Sequence, residues 1–186
     1  MNRQTAAGVF CVLAEAVNAE EPQAPDFQRS LEMPAHRAVV ARMSDESVKL
    51  APFTTDGCSG GLSWSWQMLA DFFPNFEVTN GAAPPWEACC VMHDRAYHAA
   101  GGATTADESY DARRTADETL RQCVTAQGAS DLAELSAQYN VPEARVRLAY
   151  SLIGDAMYNA VRLGGAPCTG LPWRWGYGYP GCRSGS

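Results

Sequence analysis

Cys89 and Cys90 are neighbours in this 186-residue chain, and that pair limits its possible folds more than any other feature. If each bonds to a different distant cysteine, two staples fix one turn of chain against two other segments. The chain has seven cysteines, an odd number, and its N-terminus accounts for the oddness. Met1 to Arg3 is a short positive start, and Thr5 to Val17 is mostly apolar. Val17-Asn18-Ala19 then stands where a signal peptidase cuts. Residues 1–19 therefore read as a signal peptide; Glu15 interrupts the apolar stretch, and the alternative is an amphipathic N-terminal helix. Cleavage after Ala19 would remove Cys11 and leave Cys58, Cys89, Cys90, Cys123, Cys168 and Cys182. Six is the even number that a disulfide framework in an oxidising compartment needs. The expected location is secreted or periplasmic.

Hydrophobic residues make up 46% and charged residues 19%, the mixture of a folded globular chain of one compact domain. No uninterrupted apolar run approaches the ~18 residues that span a bilayer. Fourteen basic residues against 21 acidic ones give a net charge of -7. That balance argues against a nucleic-acid partner, whose affinity comes from neutralised phosphates. It argues equally against docking to anionic membranes through a basic patch, so lipid contact would be aromatic rather than cationic.

Residues 20–50 carry three prolines and scattered charge without a clear period, and read as an N-terminal extension or pro-like segment. Residues 51–85 are rich in Gly, Pro, Asp and aromatics and read as loop, with one short helix around Trp64 to Phe73. A helical core follows. Pro84-Pro85 precede a run from Trp86 to Ala100 that Gly101-Gly102 end, the usual order of Pro first and Gly last. Thr105-x-x-Glu108 is a capping-box pattern opening a second helix, which is expected to stop at Gly128. Asn140-x-x-Glu143 opens a third, with Pro142 in its first turn. Ala144, Leu148, Leu152, Ala156 and Ala160 recur along it at four-residue spacing beside Ile153, Met157 and Val161, and so broad an apolar face is expected to pack in the core. Residues 168–186 form an aromatic, Gly-rich end.

The informative stretch is Cys89-Cys90-Val91-Met92-His93-Asp94-Arg95-Ala96-Tyr97. On a helix, Cys89 and His93 share one face while Cys90, Asp94 and Tyr97 share a neighbouring one. Adjacent His93 and Asp94 thus do not easily pair, and each is free for a separate task. An imidazole oriented by a partner from elsewhere serves as a base, and a carboxylate facing a cleft is a ligand for a hard cation.

Cys89 to Tyr97 resembles the Cys-Cys-x-x-His-Asp-x-x-Tyr signature of the secreted phospholipase A2 superfamily, and within it the divergent bacterial and group-twelve-like branches. Asp56-Gly57-Cys58-Ser59-Gly60-Gly61 is similar to the family's glycine-rich calcium loop. Ala116-Asp117-Glu118, with Cys123 six residues after Asp117, is similar to its second catalytic helix. The matched stretch, Asp56 to Cys123, covers somewhat more than a third of the chain. The resemblance implies a mainly α fold, with two long antiparallel disulfide-linked helices, a calcium loop and a third core helix, over residues 51–167. It implies Ca²⁺-dependent hydrolysis of the sn-2 ester of glycerophospholipids by a monomer acting on a lipid aggregate or membrane surface. In that scheme His93 is the general base, Asp117 holds its imidazole and Tyr97 bonds Asp117. Asp94 binds Ca²⁺ with backbone carbonyls of Gly57, Ser59 and Gly61. The pairing expected with it is Cys58–Cys90, Cys89–Cys123 and Cys168–Cys182. A helical wheel alone does not select Asp117 over Glu118. The chain departs from the family at Ala96 and Ala116, where a further bonded cysteine pair often stands. Both partners are missing together, so no thiol is orphaned.

Other conspicuous residues have plainer expected roles. His36 and His98 read as solvated surface, and Arg113, Arg114 and Arg121 as a solvated helix face. Trp64, Trp66, Trp173 and Trp175 read as packing around a small core, with lipid contact as the alternative. The runner-up function is a non-catalytic Ca²⁺- or lipid-binding module acting as a secreted effector. A metal phosphohydrolase built on His-Asp needs more metal-ligating histidines than the three present.

Overall fold

The computed structural model describes residues 26–58 and 83–182. The signal-like segment, Cys11, Ser59, Gly61, Trp64, Trp66 and the short helix expected near them lie outside the described residues. Among the described residues the protein is helical, with no strand: α1 (Phe27–Met43), α2 (Glu87–His98), a 3₁₀ turn (Ala100–Gly102), α3 (Ala106–Ser130), α4 (Leu132–Tyr139) and α5 (Glu143–Gly164). Three disulfides staple it in the expected pairing: Cys58–Cys90, Cys89–Cys123 and Cys168–Cys182.

α3 is the axis, touching every other helix and packing most extensively on α5. Both halves of its capping box form: the Thr105 hydroxyl accepts from the Glu108 N–H, and the Glu108 carboxylate accepts from the Thr105 N–H. Gly101 and Gly102, both at φ 66°, reverse the chain between α2 and α3. Cys89–Cys123, with Cα atoms 5.7 Å apart, then locks the two helices, and Cys58–Cys90 ties the 50–58 segment to the next residue of α2.

Several boundaries differ from those expected. α3 does not stop at Gly128 but runs through it, because a Cβ there would lie 2.2 Å from the Tyr150 ring; the glycine permits close approach of α5. Leu132–Tyr139 is an additional helix, and Asn140, left-handed at φ 49° and ψ 49°, ends it rather than opening α5, which Pro142 precedes instead. α5 does not bury the stripe Ala144, Leu148, Leu152, Ala156 and Ala160, all of which are exposed. A strict four-residue step advances ~40° too far at each repeat and winds off any single face. The buried set is Val146, Tyr150, Gly154 and Met157, whose mixed steps of four and three stay on one side, and Arg162 beyond them.

The largest departure is at the N-terminal side. Residues 27–43, without a visible period, form α1, opened by the Asp26 carboxylate accepting from the Arg29 N–H and laid against α3. The C-terminal segment is also woven in. The Gly176 N–H donates to the Tyr97 carbonyl, the Gly178 N–H to the His98 carbonyl, and the Ala51 N–H to the Gly178 carbonyl. Trp175 is fully buried against Tyr97 and donates to the Ser109 hydroxyl, whereas Trp173 is 41% exposed.

Candidate active site

The Cys89–Cys123 staple sets the register of the site. His93 lies one turn beyond Cys89 on α2, Asp117 lies six residues before Cys123 on α3, and antiparallel packing brings the two together. His93 Nε2 is 2.9 Å from Asp117 Oδ1, and the Tyr97 hydroxyl donates to the same oxygen at 2.7 Å. With Nε2 donating to the carboxylate, the lone pair of the neutral ring sits on Nδ1, on the side of Asp94, whose Oδ1 is 3.9 Å away. Asp117 is fully buried and His93 nearly so. Of the two residues that a helical wheel leaves open, Asp117 and not Glu118 meets His93.

Burial alone would disfavour a charged His93. The hydrogen bond to Asp117 and the nearby negative charge of Asp94 outweigh it, and the imidazole titrates above its ordinary value. Tyr97 is driven well above the usual phenol range, first by burial and then by the negative charge of Asp117. Its hydroxyl therefore keeps its proton and serves as a fixed donor.

His93, Asp94 and Gly57 share one cavity of about 500 Å³, whose apolar wall includes Leu120, Met157, Val161 and Trp173. Asp94 is held by the Thr55 hydroxyl, which donates to Oδ2 at 2.5 Å and accepts from the Gly57 N–H at 3.1 Å. Gly57 sits at φ 70°, a left-handed bend that favours glycine, and a Cβ there would meet the Glu87 carboxylate at 2.8 Å. By its chemistry a carboxylate suits a hard cation rather than zinc. Among the described residues, no three His, Cys, Asp or Glu side chains gather as a metal cluster. Ala96 and Ala116 line a second, smaller groove between α2 and α3, bounded by Cys89–Cys123.

Behind Asp117 lies a set of residues that sequence reasoning missed. Arg162 of α5 donates from Nη1 to Asp117 Oδ2 at 3.0 Å and from Nη2 to Glu32 Oε1 at 3.1 Å. Arg113, expected on a solvated face, is fully buried. Its Nε donates to the Tyr97 hydroxyl at 3.2 Å, one Nη to Glu32 Oε2, and the other to the Val161 and Arg162 carbonyls at 2.8 Å each. His36, expected on the surface, is also fully buried, with Nδ1 2.8 Å from the Ser109 hydroxyl. His98 is buried as well, packed edge-on between Phe53 and Tyr177. Arg114 is exposed as expected, and Arg121 is half-buried. The available signal was the four-residue spacing of Arg113 with Asp117 and of Glu32 with His36.

No protein-family model, no curated protein and no solved structure matches this chain.

Proposed function

We propose that this protein is a secreted or periplasmic, Ca²⁺-dependent phospholipase A2 that hydrolyses the sn-2 ester of glycerophospholipids, releasing a fatty acid and a lysophospholipid. The observation that carries the reading is the His93–Asp117–Tyr97 hydrogen-bonded set, whose imidazole opens on the same apolar-walled cavity as Asp94 and Gly57. His93 Nδ1 takes a proton from a water that attacks the ester carbonyl, and returns it to the departing alkoxide. Asp117 keeps Nε2 protonated and balances the positive charge that the ring acquires. Tyr97 holds Asp117 in place. The wall of Leu120, Met157 and Val161 suits an acyl chain. Asp94 and the Gly57 carbonyl would hold Ca²⁺, with Ser59 and Gly61, next in sequence, as the further ligands that the family resemblance implies. When bound, the ion polarises the ester carbonyl and stabilises the oxyanion.

The test is fatty-acid release from phospholipid vesicles by the purified protein, with Ca²⁺ and with chelator. Calcium-dependent release supports the reading, and tight binding of Ca²⁺ or lipid without turnover assigns the chain to the non-catalytic alternative. Asp94→Asn should weaken Ca²⁺ binding in isothermal titration while leaving the fold intact; unchanged affinity removes Asp94 from the metal site.

A further inference from the structure

Asp117 has two carboxylate oxygens, and only one faces His93. The other closes a ring of charges that reaches from α3 through α5 to α1 and back. Asp117 Oδ2 takes Arg162 Nη1, Arg162 Nη2 goes to one oxygen of Glu32, and the second oxygen of Glu32 takes Arg113. Arg113 returns to the start twice, through the Tyr97 hydroxyl and by its own approach to Asp117 Oδ2 at 4.0 Å. Two guanidiniums and two carboxylates alternate around it, so the ring carries no net charge if all four are ionised. Asp117 and Arg113 are 0% exposed at the side chain, Arg162 7% and Glu32 10%.

We infer that Glu32 and Arg162 are positioning residues for the His93–Asp117 pair: they fix the carboxylate from behind so that its free oxygen stays on the imidazole. This rests on the hydrolase reading for its catalytic meaning, though not for its geometry. Remove the Glu32 charge and two buried guanidiniums share one carboxylate. Arg113, its Glu32 partner lost, then pulls more strongly on Asp117, against the hold of His93. Attraction between unlike charges out of water is strong and falls off slowly with distance, so an imbalance two residues away is felt at the imidazole. A plain scaffold role needs no such closure, because Arg113 is already anchored on two backbone carbonyls. Glu32 behaves as a ring member too. Burial pushes its carboxyl up, yet His36, Arg113 and Arg162 together bring it down to about 2.

The experiment compares Glu32→Gln and Arg162→Lys with the wild-type protein by steady-state kinetics and by nitrogen-edited NMR of the His93 ring. Glu32→Gln keeps size and loses charge, and is expected to lower kcat by about 10²-fold with KM unchanged, the cost of a misplaced catalytic group. The His93 Nε2–H resonance should shift or broaden. Arg162→Lys keeps the charge but loses the two-pronged bridge, and should fall between wild type and Glu32→Gln in both readouts. Wild-type kcat with an unmoved His93 resonance overturns the inference, even if the melting temperature drops, since that is a brace and nothing more. If Glu32→Gln does not fold, Arg162→Lys decides by the same two readouts: a lowered kcat with a shifted resonance supports positioning, and wild-type values overturn it. If the wild-type protein hydrolyses no phospholipid, the hydrolase reading falls, and the NMR arm still decides whether the ring positions Asp117.

Discussion

The two sides of Asp117 are built from different kinds of chemistry. Toward the cavity, Oδ1 takes one imidazole and one phenol, both from a single helix, α2. Away from it, Oδ2 meets guanidiniums from α3 and α5, which are balanced by a carboxylate from α1. The near side is a short local motif that a disulfide places; the far side is a long-range closure of charge. In the proposed hydrolase the two sides divide the work: the α2 donors fix which oxygen points at the imidazole, and the guanidiniums fix where the carboxylate stands.

That contrast is most sharply broken from the near side. His93→Gln should lower hydrolysis by about 10²–10⁴-fold while circular dichroism and the thermal midpoint hardly change, because a glutamine amide cannot take the proton. A purified variant keeping more than a tenth of wild-type turnover would mean that another group is the base. On the far side the order reverses. Arg113→Met should cost about 3–5 kcal/mol of stability in a denaturant titration, since it strips partners from Glu32, Tyr97 and two carbonyls at once. A loss below about 1 kcal/mol would show the ring to be more weakly coupled than its burial suggests.

Acid sharpens the comparison more gently. The Glu32 carboxyl is lowered in the folded protein from 4.5 to about 2, so its stabilisation is complete above about pH 4.5 and is lost as pH falls toward 2. The difference in unfolding free energy between wild type and Glu32→Gln should be flat above that range and shrink below it. A difference that stays constant down to pH 2 would mean that Glu32 does not titrate as a ring member. The smallest effect belongs to an exposed pair outside both regions. Glu143→Gln, which removes a salt bridge to Arg147 on the first turn of α5, should change stability by only about 0.3–0.5 kcal/mol and leave turnover unchanged.

The near side could be read because a resemblance to a known signature rests on consecutive residues of one helix, where the vicinal cysteines mark the turn. Spacing alone put His93 and Tyr97 on neighbouring faces, whereas both meet the same Asp117 oxygen, from a different helix. The far side was not legible because its buried members are polar. α1 exposes Phe27 and Leu31, at 74% and 65%, and buries His36, so hydrophobic periodicity points the wrong way. Arg113 looked like a solvated charge for the same reason, and nothing singled out Arg162: pattern reasoning takes an arginine to be outside unless it already knows the carboxylate that meets it. The exposed stripe of α5 shows the complementary error, in which regular spacing was taken for a face.

The lengths of chain spanned by these contacts order the events of assembly. Cys58–Cys90 and Cys89–Cys123 close spans of 32 and 34 residues, whereas Arg162 reaches Glu32 across 130. Contacts between distant segments form late, because their loop-closure entropy must be met before they return anything. In a chain delivered from its N-terminus, the α2–α3 pair can be cross-linked while α5 is still absent, and His93 and Asp117 are then already neighbours. Asp117 acquires its charged partners only when α5 docks. The proposed hydrolytic centre is thus assembled in two instalments, and a chain cut short before Arg162 holds a complete motif with no back wall.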